Sequence, residues 1–445
     1  MLRSRGPSRF VDLGHALGGP NRSTFSRWIR SAPGEVVCFG KKRTGVYYAA
    51  PRDVVDLGSR WPLYAVSESG TPEEVGAIFA VEPKGFVFVA AQKQAAWMAG
   101  SGGNGAFTGL PFFLHDSTPQ GFLGRALARR LQAALGVPAR LADWQEHHVL
   151  TALTKTGADN PGNWLVGKSA HDLLMRERMA APEPPRIDDG GLVYERLAGE
   201  SLADQPPGSS AGGEQPKFAT LVRAASSRHV LVKSSPARGT AVGDRWADLL
   251  VAEHLAHGVL QAAGLPAAKS RVLDGPTRRF LEVERFDRVG LHGRRATCSL
   301  FAIDVEYFGA LDSWPDAGAR LLRRGWLEAD DVAALGFWWD FSGFIGNTDR
   351  HFGNATLFFD QGRMKLAPAY DMLPMLFAPQ GGEIVARPYV PPLPIPGQVE
   401  GWRRAGSAAR SFWALVANDR RVSREFRATA AQCDRVIQEA LRKVG

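Results

Sequence analysis

Cysteine is scarce in this chain: 445 residues hold three, Cys38, Cys298 and Cys433. They are odd in number, far apart and without metal-ligand spacing, which argues against a disulfide framework and a zinc site and fits a reducing cytoplasm. Long apolar runs are lacking too. Each, including Gly336 to Ile345, is short or broken by a charge such as Asp340. No membrane span is expected, and the N-terminal arginines lead into no apolar export segment. No internal repeat is visible. Apolar residues at 44% and charged residues at 22%, with 24 Phe and 12 Trp, are the balance of a folded protein. The length calls for two or three domains rather than one core.

Positive charge is concentrated at the front. Residues 1 to 60 carry eleven Lys or Arg against four Asp or Glu, a local +7 out of +9 for the whole chain, which is the footprint of a polyanion partner. Arg9 to Leu17 has apolar residues at helical spacing, Gly18-Gly19-Pro20 breaks it, and Asn21 or Ser23 can cap a second helix through Ile29. Glu35 to Phe39 and Gly45 to Ala49 then read as a hairpin with Lys41, Lys42 and Arg43 at its tip. Helix, turn, helix and basic hairpin is the order of a winged helix-turn-helix. In it Arg22, Ser23, Thr24, Ser26, Arg27 and Arg30 would face a major groove and the tip would meet phosphates. The plainer alternative is a small basic domain packed on the rest of the protein.

Residues 61 to 180 read as β-rich through about Phe88 and then helical, with helices from Arg125 to Leu135 and from Trp144 to Lys155, and His147 and His148 as surface residues. Ala181 to Gly190, with three prolines and mixed charge, reads as a loop or linker. The next informative stretch is Ser209-Ser210-Ala211-Gly212-Gly213-Glu214-Gln215-Pro216-Lys217. A small-residue loop between β segments lets backbone N–H groups approach phosphates, and a β run ending at Lys233 supplies a point charge for them. The Gly-Lys-Ser/Thr ending of a Walker A loop is lacking. Asp244 to Leu260 reads as a helix with Glu253 placed to reach Lys233, or else as a carboxylate on the helix surface. Val272 to Phe286 gives two more strands and an extended segment, 300 to 345 is mostly helical, and 400 to 443 is helical again.

Gly346-Asn347-Thr348-Asp349-Arg350-His351-Phe352-Gly353-Asn354 is the stretch that organises the rest. An acid followed five residues later by Asn, with Asp371 beyond a short hairpin, supplies what phosphoryl transfer needs: a base for the attacking hydroxyl and two ligands for magnesium. The same residues are also ordinary turn formers. What favours the site is the order of parts, which is that of a bilobal kinase: small-residue loop, strand Lys, helix Glu, hinge, helices, catalytic loop, metal acid.

On these motifs the chain resembles the HipA-like serine/threonine kinases of bacterial toxin–antitoxin systems, over roughly Leu110 to Met375. The carriers are Gly213 to Lys217, the strand ending at Lys233, Val283 to Arg288, Gly346 to His351 with Asn354, and Pro368 to Asp371. The resemblance implies an α+β, bilobal protein-kinase-like fold, ATP and Mg2+ as cofactors, Asp349 as catalytic base, Asn354 and Asp371 on the metal, and Lys233, supported by Glu253, on phosphates. It implies nucleotide contacts from Ala211, Gly212, Gly213, Glu214, Gln215 and Pro216, from Glu284, Arg285 and Phe286, and from His351, Phe352, Gly353 and Asn354. Ser210, or Ser209 beside it, matches the loop serine whose autophosphorylation silences the kinase. The basic front end is similar to that of the longer, YjjJ-like branch, in which a DNA-binding domain is fused to the kinase. The expected organisation is a DNA-binding domain at 1–60, a family-specific subdomain at 61–180, a nucleotide lobe at 181–290 and a helical catalytic lobe at 291–445. A protein substrate such as an aminoacyl-tRNA synthetase, duplex DNA and an antitoxin of HipB type are the implied partners. The competing reading is a DNA-binding regulator whose kinase fold senses nucleotide or is inactive; a small-molecule or lipid kinase ranks lower, with no lipid-facing segment apparent.

Overall fold

The computed structural model describes residues 1–41, 45–92, 95–180, 190–203, 215–223, 227–360 and 362–444. At the front, helices Leu2–Arg5, Phe10–Ala16 and Arg22–Ser31 precede strands Val37–Lys41 and Gly45–Ala49, and the short strand Ser8–Arg9 completes a three-stranded antiparallel sheet. Gly18 and Gly19 turn the chain between helices with φ of 77° and 70°, a conformation that favours glycine. Asn21 caps the third helix by accepting from the Thr24 amide at 2.8 Å. Phe25 then pins that helix to Phe10 and Tyr48, with ring centroids 5.0 and 4.9 Å away. Its opposite side, with Ser23, Ser26, Arg27 and Arg30, stays exposed.

The next layer is a five-stranded antiparallel sheet of Arg60–Val66, Pro72–Ala80, Phe86–Ala90, Ala106–Phe107 and Trp164–Val166. Helices Gly121–Leu135, Glu146–Thr156 and Gly167–Ala180 accompany it. The last of these, and helix Gly190–Ala203, have no counterpart in the sequence reading. Gly167–Ala180 buries only Gly167, Ala170 and Leu174, a stripe too narrow to stand out among its charged residues. His147 and His148 are half-buried rather than free on the surface; His148 Nδ1 accepts from the Gln145 amide at 2.9 Å and so closes a helix N-terminus.

A four-stranded antiparallel sheet follows, in the order Ser270–Asp274, Arg279–Glu284, Ser227–Ser234, Lys217–Arg223. Helix Gly190–Ala203 covers one face through Tyr194, which packs with Phe218, Val230, Val232 and Phe280. Helix Ala241–Ala262 lies along the other. Helices Leu300–Tyr307, Trp314–Arg323, Ala329–Phe344, Val399–Asn418 and Arg424–Lys443 form the C-terminal part, with a small sheet of Thr297–Ser299, Thr356–Asp360 and Arg363–Leu366. Trp314, Trp338, Trp402, Trp413 and Phe412 are each under 2% exposed there. One apolar core runs from Trp61 and Phe86 through Leu249 and Leu260 to Phe426 and Ile437, so the segments are packed against one another rather than strung on linkers.

Candidate active site

The two-residue period of a strand separates the faces of Ser227–Ser234. Val230 and Val232 turn toward Tyr194, which leaves Lys233 for the helix on the opposite side. Its Nζ meets Glu253 Oε1 and Oε2 at 2.6 and 2.7 Å, and it also donates to Asp371 Oδ1. Lys233 is 4% exposed and Glu253 0%, a burial that charged groups tolerate only when paired. Desolvation works against the Lys233 charge, but the two carboxylates outweigh it and hold the ammonium above its ordinary value. Asp371 is carried down to about 2, the Lys233 charge overcoming desolvation. Glu253 is pushed up by its burial, because one ammonium cannot fully serve two carboxylates. One helical turn beyond Glu253, His257 places Nε2 at 3.9 Å from Glu253 Oε1. Its Nδ1 and that of His254 each lie 3.0 Å from Ser270 Oγ, and burial takes the His257 imidazole down to about 3, so it is neutral. The spacing of four from Glu253 was the available signal for His257.

The loop is built on a helix stop. Ala329–Phe344 ends at Ile345, Gly346 turns the chain at φ 74°, and Asn347, 2% exposed, ties two segments together. Its Oδ1 accepts from the Asp349 amide at 2.9 Å while its Nδ2 donates to the Asp371 carbonyl at 3.1 Å. Asn354 Nδ2 donates to the Asp349 carbonyl at 2.8 Å, which fixes the amide and points its oxygen elsewhere. Tyr370 Oη donates to the Gly353 carbonyl at 2.6 Å and pairs with Thr356 Oγ1 at 2.8 Å. Ala369 is held by the Pro266 carbonyl at 3.0 Å and by the Ala268 amide at 2.9 Å, which sets Asp371 under the Lys233 sheet. Asp371 itself has φ 54°; an acid in the left-handed region costs on the order of 1 kcal/mol or more, and such strain gathers at functional sites. Asn347, Tyr370 and Thr356 carry no role in the sequence analysis, because the contacts that give them one, to the Asp371 carbonyl, to the Gly353 carbonyl and to each other, join residues 14 to 24 positions apart.

Lys233, Glu253 and Asp371 therefore form one cluster, with Asp349 and Asn354 joined to it through Asn347. The strand pair Thr356–Asp360 and Arg363–Leu366 separates Asn354 from Asp371 in sequence and returns the chain; the two residues are linked through Asn347 and Asp349 rather than by direct contact. The Asp349 side chain is 54% exposed, which leaves the carboxylate open to a hydroxyl from outside. Arg350 stacks over Trp339 at 4.3 Å. Just past strand Arg279–Glu284, the Arg285 side chain is engaged with Asp159 at 3.1 Å and Asp287 at 2.9 Å, and Phe286 packs on Phe358 and Tyr370. Ser209, Ser210 and Ala211 to Glu214 lie outside the described residues; of that loop, the Pro216 carbonyl accepts from the Ser234 amide at 2.9 Å, and Gln215 Nε2 is buried without a partner among the described residues. Among the described residues there is no group of three or more His, Cys, Asp or Glu that could cage a metal. Magnesium in nucleotide sites needs only one or two protein ligands besides phosphate, and Asn354 with Asp371 suits that demand.

At the front end, Arg22 is exposed and lies over the Phe10 ring at 5.9 Å, Thr24 is half-buried at the cap, and Arg30 Nε donates to the Ser26 carbonyl at 3.2 Å. Trp28, 44% exposed on the same helix, was not singled out in the sequence reading. Lys42 and Arg43 lie outside the described residues, and Lys41 ends its strand.

Fold and cluster together define a kinase-like α+β protein. Residues 57–175 match the model of the YjjJ-like toxin middle domain and residues 209–444 that of the HipA-like C-terminal domain. The chain belongs to the HipA-like toxin family, in its YjjJ-like branch: it is 36% identical to Toxin YjjJ of Escherichia coli K12 over 447 residues, covering 100% of this chain and 98% of that protein. Among solved structures it is similar to Shewanella oneidensis HipA, from a complex with HipB and operator DNA, at a TM-score of 0.55 and 12% identity over 86% of this chain and 97% of the other. That likeness concerns the fold. Among the described residues no helix is long and apolar enough to cross a membrane.

Proposed function

We propose that this toxin-family protein is an ATP-dependent serine/threonine protein kinase that also phosphorylates itself and binds duplex DNA through residues 1–60. The observation that carries the kinase reading is the buried Lys233–Glu253–Asp371 cluster tied by Asn347 to the loop bearing Asp349 and Asn354. Lys233 would move its charge from Asp371 onto the nucleotide phosphates while Glu253 keeps it in place. Asn354 and Asp371 would hold magnesium, which supplies charge neutralisation at the phosphates. Asp349 takes the proton of the acceptor hydroxyl as that oxygen bonds to the γ-phosphorus and the bond to ADP breaks. Because the Arg285 and Phe286 side chains are occupied and the Glu284 and Arg285 amides already bond the Lys269 and His229 carbonyls, nucleotide contacts there would fall to the remaining main-chain atoms. Phosphate on Ser210 or Ser209 would add about −1.5 to −2 charge beside a site for triphosphate and turn it off. The acceptor is a protein, with translation factors such as an aminoacyl-tRNA synthetase the first to examine, and an antitoxin of HipB type is the partner to seek. The regulator reading, with the kinase fold silent, draws its support from the +7 charge of residues 1 to 60 and the exposed Arg27 and Arg30.

The experiment is to incubate the full chain, and a lysate treated with it, with Mg-ATP labelled in the γ-phosphate and to map phosphopeptides. Label on the chain near residues 209–210 and on a protein of the lysate is expected. No label on any protein sinks the kinase reading and leaves the regulator.

A further inference from the structure

His351 lies two residues past Asp349, at the entry of the 3-10 turn Phe352–Asn354. Its carbonyl is held by the Asn354 amide at 3.0 Å and by Trp314 Nε1 at 3.3 Å, so its backbone is fixed. The ring is fixed as well: the Gly353 amide donates to Nδ1 at 3.0 Å. A ring nitrogen that accepts a hydrogen bond carries no proton, so the imidazole is held as the Nε2–H tautomer. Nε2 stands 3.7 Å from Asp349 Oδ1, just beyond hydrogen-bond length; contacts of this kind tighten when the reacting complex forms. Among the described residues no other Lys, Arg or His side chain is within ion-pair distance of that carboxylate. Gly353 shows that the ring's place is built in. A Cβ there would lie 2.9 Å from both Nδ1 and Cε1 of His351, and Gly353 has no left-handed φ that would itself call for glycine. The missing side chain makes room for the imidazole.

We propose that His351 is a positioning residue for Asp349: its Nε2–H donates to one carboxylate oxygen and leaves the other facing the acceptor hydroxyl. This rests on the kinase reading above, and it differs from the nucleotide contact that family resemblance implies for His351. In the transfer step the hydroxyl proton goes to the free oxygen of Asp349, the hydroxyl oxygen bonds to the γ-phosphorus, the bond to ADP breaks, and His351 keeps its own proton throughout.

The test uses the full chain, its self-phosphorylation from γ-labelled Mg-ATP in a single turnover, and ATP affinity by calorimetry. In His351→Asn the amide oxygen takes the place of Nδ1 on the Gly353 N–H, but no donor reaches Asp349. In His351→Gln the amide nitrogen reaches the place of Nε2. His351→Asn is expected to slow transfer by at least about tenfold, a fraction of what a general base contributes, with ATP affinity within about twofold of wild type. His351→Gln is expected to recover most of the lost rate. Wild-type transfer in His351→Asn overturns the inference, and so does equal slowing in both variants or a loss confined to ATP affinity. Asp349→Asn separates the levels: if it transfers like wild type, or if wild type itself transfers nothing, the kinase reading fails and the inference with it.

Discussion

Asp349 and Asp371 are both carboxylates of one site, yet they stand in opposite surroundings. Asp371 accepts from a buried ammonium and is left-handed in its backbone; Asp349 faces solvent, with His351 Nε2 3.7 Å from its carboxylate. Their losses should therefore differ. Asp349→Asn is expected to bind Mg-ATP as wild type does while transfer falls by about 10²–10⁴-fold, the usual contribution of a general base. Asp371→Asn is expected to lose Mg-ATP affinity itself. Calorimetric titration beside a transfer assay separates the two. A third residue carries a pH dependence. Unfolded, the His257 imidazole takes up a proton near its ordinary 6.5, and folded only near 3, so unfolding binds a proton throughout that window. The contribution of His257 to stability is complete above about pH 6.5 and falls by about 1.4 kcal/mol per pH unit as the pH drops toward 3. His257→Gln removes this slope. Urea unfolding at pH 7 and pH 5.5 should show the difference between wild type and variant moving in the variant's favour by about 1 kcal/mol at the lower pH.

At the scale of elements, the front end shows how one helix can be anchored on one side and left open on the other. Phe25 uses the inner face of Arg22–Ser31, and the outer face, with Ser26, Arg27, Trp28 and Arg30, meets no other element closely enough to be covered. If that face reads bases and the hairpin tip meets phosphates, two variants of the full chain should behave differently. Replacing Lys41, Lys42 and Arg43 together by Ala is expected to weaken binding on every duplex alike and to lower the salt slope by about 0.9 for each lost phosphate contact. Arg27→Ala is expected to cost about 1–3 kcal/mol on a preferred sequence and little on others. Fluorescence anisotropy at two salt concentrations, without ATP, measures both. Salt-independent binding, or none, would leave the basic patch a solvated surface.

Across the whole molecule, a buried ionic junction joins the five-stranded sheet's segment to the four-stranded sheet. Asp287 accepts from Arg288 at 2.7 Å, from Arg285 at 2.9 Å and from the Gly162 amide at 2.9 Å, and the arginines draw its carboxyl down to about 2 against the cost of burial. Arg288 is 9% exposed and Asp287 6%, so removing the acid strands buried charge. Asp287→Ala is expected to cost about 3–5 kcal/mol in thermal or urea unfolding; a loss under about 1 kcal/mol would show that the junction is merely tolerated. The strand lysine and helix glutamate at Lys233 and Glu253, the loop and hairpin leading to Asp371, and the helix pair and hairpin at the front were readable from the chain, because each rests on local periodicity, turn chemistry or motif spacing. Helices Gly167–Ala180 and Gly190–Ala203 were not readable, since their apolar faces are defined by the sheets they cover. Nor were the bridging of Asn347 to Asp371, the tautomer of His351 or the Asp287 junction. Those are contacts between residues many positions apart or set by a single backbone amide, and only closing the tertiary structure, which brings desolvated charges and their partners to one place, decides them.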